Sequence, residues 1–425
     1  MMKDGILFMG RAILGMATVA PLALLSTANA NTYVWTGGPD WNDSSNWSPS
    51  GGPPNWGDAA FFGGNGSENV TFTDPAYATG LNFQGGLSYT IGSTTGSYLS
   101  LASGGYISIE SASTPSQTID SFILLNGGDV RFSSWVGSSS TLTINNGISG
   151  GNSGILALTG NGGNNAINGS IGGGLQVQVY AGHWLLAAAN SFTGGTQIAN
   201  GAQLEYTNTA AFGSGGIDLG LPNFSGGSAY GTLVAGVSGT LSNNITLSAA
   251  ATATGDVFNT NQQITAFTGS IGAAASPNGL AVSGAGTASF DGTLSTANLL
   301  VESGATVNGS GTLTWNLSSF GVPDLATDNG VMDIGGLHMA LNIHGALTAS
   351  QYVLVNYSSG TLVGGDFASV TGLPSNWTIN YAGTTQHPDS IVLMPTPAPE
   401  PAALYLLAVG GMGLLTARRR LKGAR

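Results

Sequence analysis

Trp35, Trp41, Trp47 and Trp56 stand close together near the N-terminus, at spacings of 6, 6 and 9 residues. Indoles in such a series could stack on sugar rings through their broad apolar faces. The same series could instead form a small aromatic core closing the first coil of a repetitive fold. The surrounding Gly and Pro leave few other ways to bury it. Asp324, Asp328 and Asp333 form the only local cluster of acids. Calcium loops place acids at every second residue around a Gly, so spacings of four and five offer at most a weak cation site. Gly147-Ile148-Ser149-Gly150-Gly151 has the form of a hydrolase nucleophile elbow. That elbow needs a strand before it and a helix after it, whereas more Gly and Ser follow here, so the match is a by-product of composition. His183, His338, His344 and His387 are scattered, with no local His-x-x-x-His or His-Glu pair to hold a metal. Cysteine is absent, which removes thiolate catalysis, disulfides and cysteine metal sites together. No cofactor is expected.

Charge narrows the partners. Between residues 31 and 398 the only base is Arg131, while of the 20 acids in the chain only Asp4 and Glu400 fall outside that body. The body therefore carries 18 acids and a net charge near -17, thinly spread. Such a charge favours solubility and excludes nucleic acid and anionic membrane surfaces as partners of the body. Divalent cations remain compatible with it.

The two ends read as addresses. Lys3 and Arg11 flank an apolar stretch, residues 12–25, followed by Ala28-Asn29-Ala30, the small-x-small pattern that signal peptidase accepts. Cleavage is expected after Ala30, making residues 1–30 a signal peptide. At the other end Pro399-Glu400-Pro401 precedes an uncharged apolar run, residues 402–417, and then Arg418, Arg419 and Arg420. A run of that length is just short of the usual span, and reaches across a thin bilayer or with help from its flanks. The arginines would stay on the cytoplasmic side. Residues 395–425 together resemble the PEP-CTERM sorting signal of Gram-negative bacteria. The resemblance implies export, transient anchoring in the inner membrane through one transmembrane helix, processing by exosortase near Pro399-Glu400-Pro401, and delivery to the cell surface or extracellular matrix.

The body must then stand without disulfides. Gly fills 69 of 425 positions, yet hydrophobic residues reach 42% and are regularly placed, which argues for a turn-rich all-β chain rather than disorder. Helical periodicity is missing, while alternating runs at 174–180, 141–144, 312–317 and 351–355 read as short strands between Gly, Asn and Ser turns. A unit of apolar, two residues, Gly, two residues, apolar recurs at Leu101/Gly104/Ile107, Leu124/Gly127/Val130, Val179/Gly182/Leu185, Ile198/Gly201/Leu204 and Val301/Gly304/Val307. It predicts two strands joined at a Gly of positive φ. Offsets of 23 residues (101 to 124) and 19 (179 to 198) approximate one coil of a parallel β-helix.

Asn190-Ser191-Phe192-Thr193-Gly194-Gly195-Thr196-Gln197-Ile198, with Ala211 through Leu219, resembles the autotransporter-associated β-strand repeat, Phe212 replacing the usual Leu. The expected fold is all-β, a right-handed parallel β-helix or solenoid over residues 63–329. A Trp-rich cap at 31–62 and a closing β segment at 330–394 resemble the ends of the same passenger-like proteins. Open solenoid ends expose strand edges and need such caps.

Three functions compete on this reading. The first is an exported, non-enzymatic surface or matrix protein, associated with exopolysaccharide or biofilm, whose partners during export are signal peptidase and exosortase. The second is a β-helix polysaccharide lyase or hydrolase, for which a lone base and the lack of any Asp-x-Asp pair leave little machinery. The third is an autotransporter-like adhesin, which would end in a membrane barrel rather than a single apolar segment.

Overall fold

The computed structural model describes residues 31–396 except 111–113, 135–139, 152–153, 161–162, 200, 221–230, 248–255, 274–278 and 319–324. The chain winds into an all-β solenoid of about 11 turns. Strands are three to seven residues long for the most part, and each pairs in parallel with the strand one coil earlier and one coil later. Chain order repeats around each coil. In the second half, Asp256–Asn259, Ile264–Phe267 and Ile271–Ala273 lie on three successive sides, and Gly279–Ser283 returns to pair with the first of them.

Alternation decides which side chains enter the stack. In Gln176–Val179, Val177 and Val179 are buried and Gln176 faces out; in Thr196–Ile198 the middle residue alone faces out. Because coils pair in register, like residues stack on like. Ile91, Ile119, Ile144 and Ile167 form one buried column, continued by Leu186. Phe62 stacks on Phe83 at 4.9 Å and Phe267 on Phe290 at 5.6 Å, both between paired strands. Each side chain of this size removed from water stabilises the fold by about 1.5–3 kcal/mol, so repetition supplies what disulfides do not.

Asn190 shows how the repeat-like segment is used. Its side-chain oxygen accepts from Ile171 N at 2.7 Å on the preceding coil, and its Nδ2 donates to Ala211 O at 2.6 Å on the next. One amide thus ties three coils together where the third side is irregular, and Phe192 and Phe212 fill the interior there.

The Gly units prove to be corners. Gly104, Gly127, Gly182, Gly201 and Gly304 all have φ between 73° and 90°. They do not occupy one position in the coil, however. Gly182 and Gly201 turn from the side containing Gln176–Val179 to the side containing His183–Leu186, whereas Gly304 turns between Asn298–Val301 and Thr306–Asn308. The recurring unit is therefore a corner device reused at different corners, and its offsets measure the coil only when two copies share one. Val179 does pair with Ile198, 19 residues on. Leu101 pairs with Leu125, not Leu124, and Trp184, not Leu185, pairs with Leu204, so two of the units are one residue out of register with the core. Coil length ranges from that 19 to 31, between His338 and Ser369.

Each end carries an antiparallel strand over one side of the stack. Thr32–Trp35 lies parallel to Ala59–Phe62, the first coil strand, and antiparallel to Trp47–Ser48. Residues 39–41 cover the neighbouring edge, with Thr71 N donating to Pro39 O and Trp41 N to Thr71 O. At the other end parallel pairing continues through Ser369–Thr371, so coils extend well into residues 330–394. The closure itself is antiparallel: Ser390–Pro395 covers Tyr352–Asn356, and Trp377–Asn380 lies outside it. Thr396, the last described residue, is still bonded to this cap through Asn376 O, at the end of the stack opposite Trp35, Trp41 and Trp47.

Two glycine substitutions separate conformation from space. A Cβ at Gly127 meets nothing within 4 Å, so Gly127→Ala should cost only the left-handed backbone penalty, about 1–2 kcal/mol in denaturant melts. A Cβ at Gly169 would lie 2.0 Å from the Asn146 carbonyl oxygen one coil below, so Gly169→Ala should cost more than Gly127→Ala. Equal costs would contradict the coil spacing.

Candidate functional site

Trp35, Trp41 and Trp47 are removed from solvent, at 0%, 0% and 3% exposure, while Trp56 keeps 55%. Trp35 and Trp47 face each other across the antiparallel pair, with ring centres 4.9 Å apart and edge to face. Trp41 packs on Trp47 in the same way at 4.8 Å, and Phe62 lies just over 6 Å from all three. Two of the indole N–H groups are satisfied locally, Trp47 Nε1 donating to Trp41 O at 2.8 Å and Trp35 Nε1 to Ser67 O at 3.1 Å, while the buried Trp41 Nε1 has no hydrogen-bond partner. These three rings close the first coil as a plug. A buried indole has no face to offer a sugar, so the glycan-contact expectation is corrected for Trp35, Trp41 and Trp47 and stays open only for Trp56.

Trp56 is not alone on the surface. Its ring meets Tyr77 edge to face at 5.6 Å. Tyr77 and Tyr98 share a side-chain hydrogen bond, which, ahead of burial, holds the Tyr77 phenol above its usual value. Tyr98 is in register with Phe122 on the next coil. Phe122 in turn leans over Gly147, where an added Cβ would stand 3.0 Å from two ring carbons. Four rings thus step along four successive coils on one outer side and end where a glycine makes room for the last. Tyr77, Tyr98 and Phe122 follow Trp56 at successive spacings of 21, 21 and 24 residues, of which the middle one falls two short of the local coil offset, so no regular period marked them in the sequence.

The acids do not converge as their numbering suggested. Asp324 lies outside the described residues. Asp328 is fully buried, in register with Val301 of the core, and its Oδ1 accepts from Gly330 N at 2.9 Å to cap a turn. Burial pushes its carboxyl pKa up, against the opposing pull of the Gly330, Thr361 and Met332 backbone groups. Asp333 is at the surface, accepting from Gly335 N at 3.1 Å. It lines an open polar cleft with Asp291, Ser289, Asn308 and Ser310, residues brought together by coil stacking. Asp291 there already accepts from Ser310 N at 3.0 Å and Ser310 Oγ at 3.1 Å. Asp333 therefore caps its own loop, while Asp291 ties its loop to Ser310 on the next coil. Among the described residues no group of three His, Asp or Glu could hold a metal ion.

Histidine reading needs one correction. His183 Nε2 lies 3.1 Å from Glu205 Oε2 on the next coil, and its Nδ1 lies 2.9 Å from Asn164 Oδ1 on the previous one. This His–Glu pair spans 22 residues of sequence, so no local motif could reveal it. Ser149 sits within the strand Ile148–Gly150, paired with Ile171–Gly172, and the elbow resemblance has no helix behind it. Ala28 and Ala30, and Pro399, Glu400, Pro401, Arg418, Arg419 and Arg420, lie outside the described residues. Among those described, no helix is long and apolar enough to cross a membrane.

Burial of Asp328 has a pH consequence. Its pKa in the fold is raised above 3.8, so the native state holds the proton more tightly than the unfolded chain. Its favourable contribution is complete below about pH 3.8 and is lost as pH rises through the folded value. Asp328→Asn, which keeps the Oδ1 acceptor, should raise the melting temperature at pH 7 and leave it unchanged near pH 3, as measured by calorimetry across pH. Comparison with models of protein families, with curated proteins and with solved structures finds no match to this chain.

Proposed function

We propose that this chain is an exported, non-enzymatic structural protein of the bacterial surface or extracellular matrix, sorted by its C-terminal tail and associated with exopolysaccharide. The observation that carries the reading is the joint layout of fold and tail. Thr396, the last described residue of the C-terminal cap, stands in the sequence directly before Pro399-Glu400-Pro401 and the apolar run. A tail at that point would hold the stack by one end and present its length outward. At a strand spacing of about 4.8 Å, about 11 turns extend roughly 50 Å from the tether. The right-handed winding usual for β-helices belongs to the same reading.

Surface chemistry supports a structural role. Only 7% of residues are charged, and the outer sides carry amides and hydroxyls that pair from coil to coil. Such a surface is wetted without strong fields. Removal of the tail would take away five of the chain's eight basic residues and leave an evenly acidic body.

Mass analysis of the C-terminal peptide from protein released by the native host tests the sorting. The expected terminus lies near Pro399, and replacing Arg418, Arg419 and Arg420 with Ala should leave an unprocessed, membrane-bound form. A mature protein that still ends in Arg425 would overturn the tail's role. Turnover of a polysaccharide by the full chain would overturn the non-enzymatic role.

A further inference from the structure

We infer that the outer aromatic track formed by Trp56, Tyr77, Tyr98 and Phe122 binds an uncharged linear polysaccharide, laid across successive coils. The inference rests on the proposed display outside the cell, and it names the site and ligand class within that reading. Three observations converge on it. The track holds the exposed indole of the N-terminal region, at 55% exposure, where the other three tryptophans of that region are plugged into the core. It places one ring on each of four successive coils, Trp56 and Tyr77 5.6 Å apart and Tyr98 two residues along the strand from Ser100, the register partner of Tyr77, a stepped line that a linear glycan can follow ring by ring. The bonded hydroxyls of Tyr77 and Tyr98 set a polar edge midway along an otherwise apolar line. Sugar rings present this combination in complement: an apolar C–H face and hydroxyls at the rim.

Position and charge select the occupant. The track lies at the end of the stack opposite Thr396, where the tail begins. A body tethered through its C-terminal cap would carry the track at its far tip, reaching away from the membrane. With Arg131 the only base between residues 31 and 398, the body repels polyanions and offers no phosphate or carboxylate partner, which leaves a neutral chain. Four rings, three of them half-buried, are also too small an area for a stable second copy, which needs about 800 Å² per partner. Phe122 over Gly147 ends the line, so the track accommodates about four sugar units.

Affinity electrophoresis of the full chain in gels containing hydroxyethyl cellulose, glucomannan or alginate tests the inference. Retardation is expected in at least one neutral gel and not in alginate. Trp56→Ala and Tyr77→Ala should each weaken it at least tenfold, Trp56→Phe should retain it, and none should lower the melting temperature by more than a few degrees. Trp56 fluorescence should shift to the blue as the neutral polysaccharide is added. Unretarded migration in both neutral gels, retardation that survives both Ala variants, or retardation by alginate alone would overturn the inference. So would concentration-dependent self-association abolished by Trp56→Ala without any glycan effect. The gel result and the mass of the mature C-terminus are read independently, so failure of the track and failure of the sorting proposal are distinguishable.

Discussion

Everything in this molecule depends on the parallel backbone register between one coil and the next. Side chains alternate with a period of two, so a slip by one residue would turn a strand's buried Ile and Val outward and its outward polar residues inward. Coils of 19 to 31 residues all return to that register. The variation is absorbed at corners and on the irregular side, where Asn190 bonds both the preceding and the following coil. The same constraint sets the needs of the ends. An uncovered last coil would offer a ready edge for pairing, and at each end an antiparallel strand covers one side of the stack.

Register also explains the composition of the surface. In-register stacking places like positions about 4.8 Å apart, where equal charges repel by about 1 kcal/mol even in water. Amides face no such penalty and donate to one another or to a carboxylate. Asp120, Asn145 and Asn168 form one such ladder, with bonds of 2.6 and 2.8 Å, and Gln178 and Gln197 form another at 2.8 Å. A surface built this way is wetted through hydroxyls and amides, with only 7% of residues charged.

Much of the fold was legible in the sequence because its physics is local. Period-two alternation and glycines forced to positive φ are properties of a few consecutive residues, and strands at 142–144, 176–179, 312–318 and 352–356 follow directly. Coil assignment was less legible, since the same Gly corner serves different sides, and Leu124 and Leu185 were placed one residue away from the true core positions. Features created by stacking were not legible at all. His183 with Glu205, Asp291 with Asp333, and Trp56 with Tyr77 become neighbours only when one coil lies on another. Asp328 misled for a related reason: its sequence neighbours are polar, yet its place in the strand ladder is a core position beside Val301.

Register is also the most directly testable claim, because the chain contains no cysteine and any introduced pair reports without background. Cysteines at Thr143 and Ala166, or at Ser289 and Asn308, occupy paired outward positions on adjacent coils, within the reach of a disulfide. Pairs displaced by one residue, Thr143 with Ile167 and Ser289 with Val307, place the second thiol inside the stack. Oxidation of the four double variants, followed by peptide mass analysis, should cross-link both in-register pairs and leave both displaced pairs as free thiols. Cross-linking of the displaced pairs as readily as the in-register ones would contradict the coil-on-coil stack.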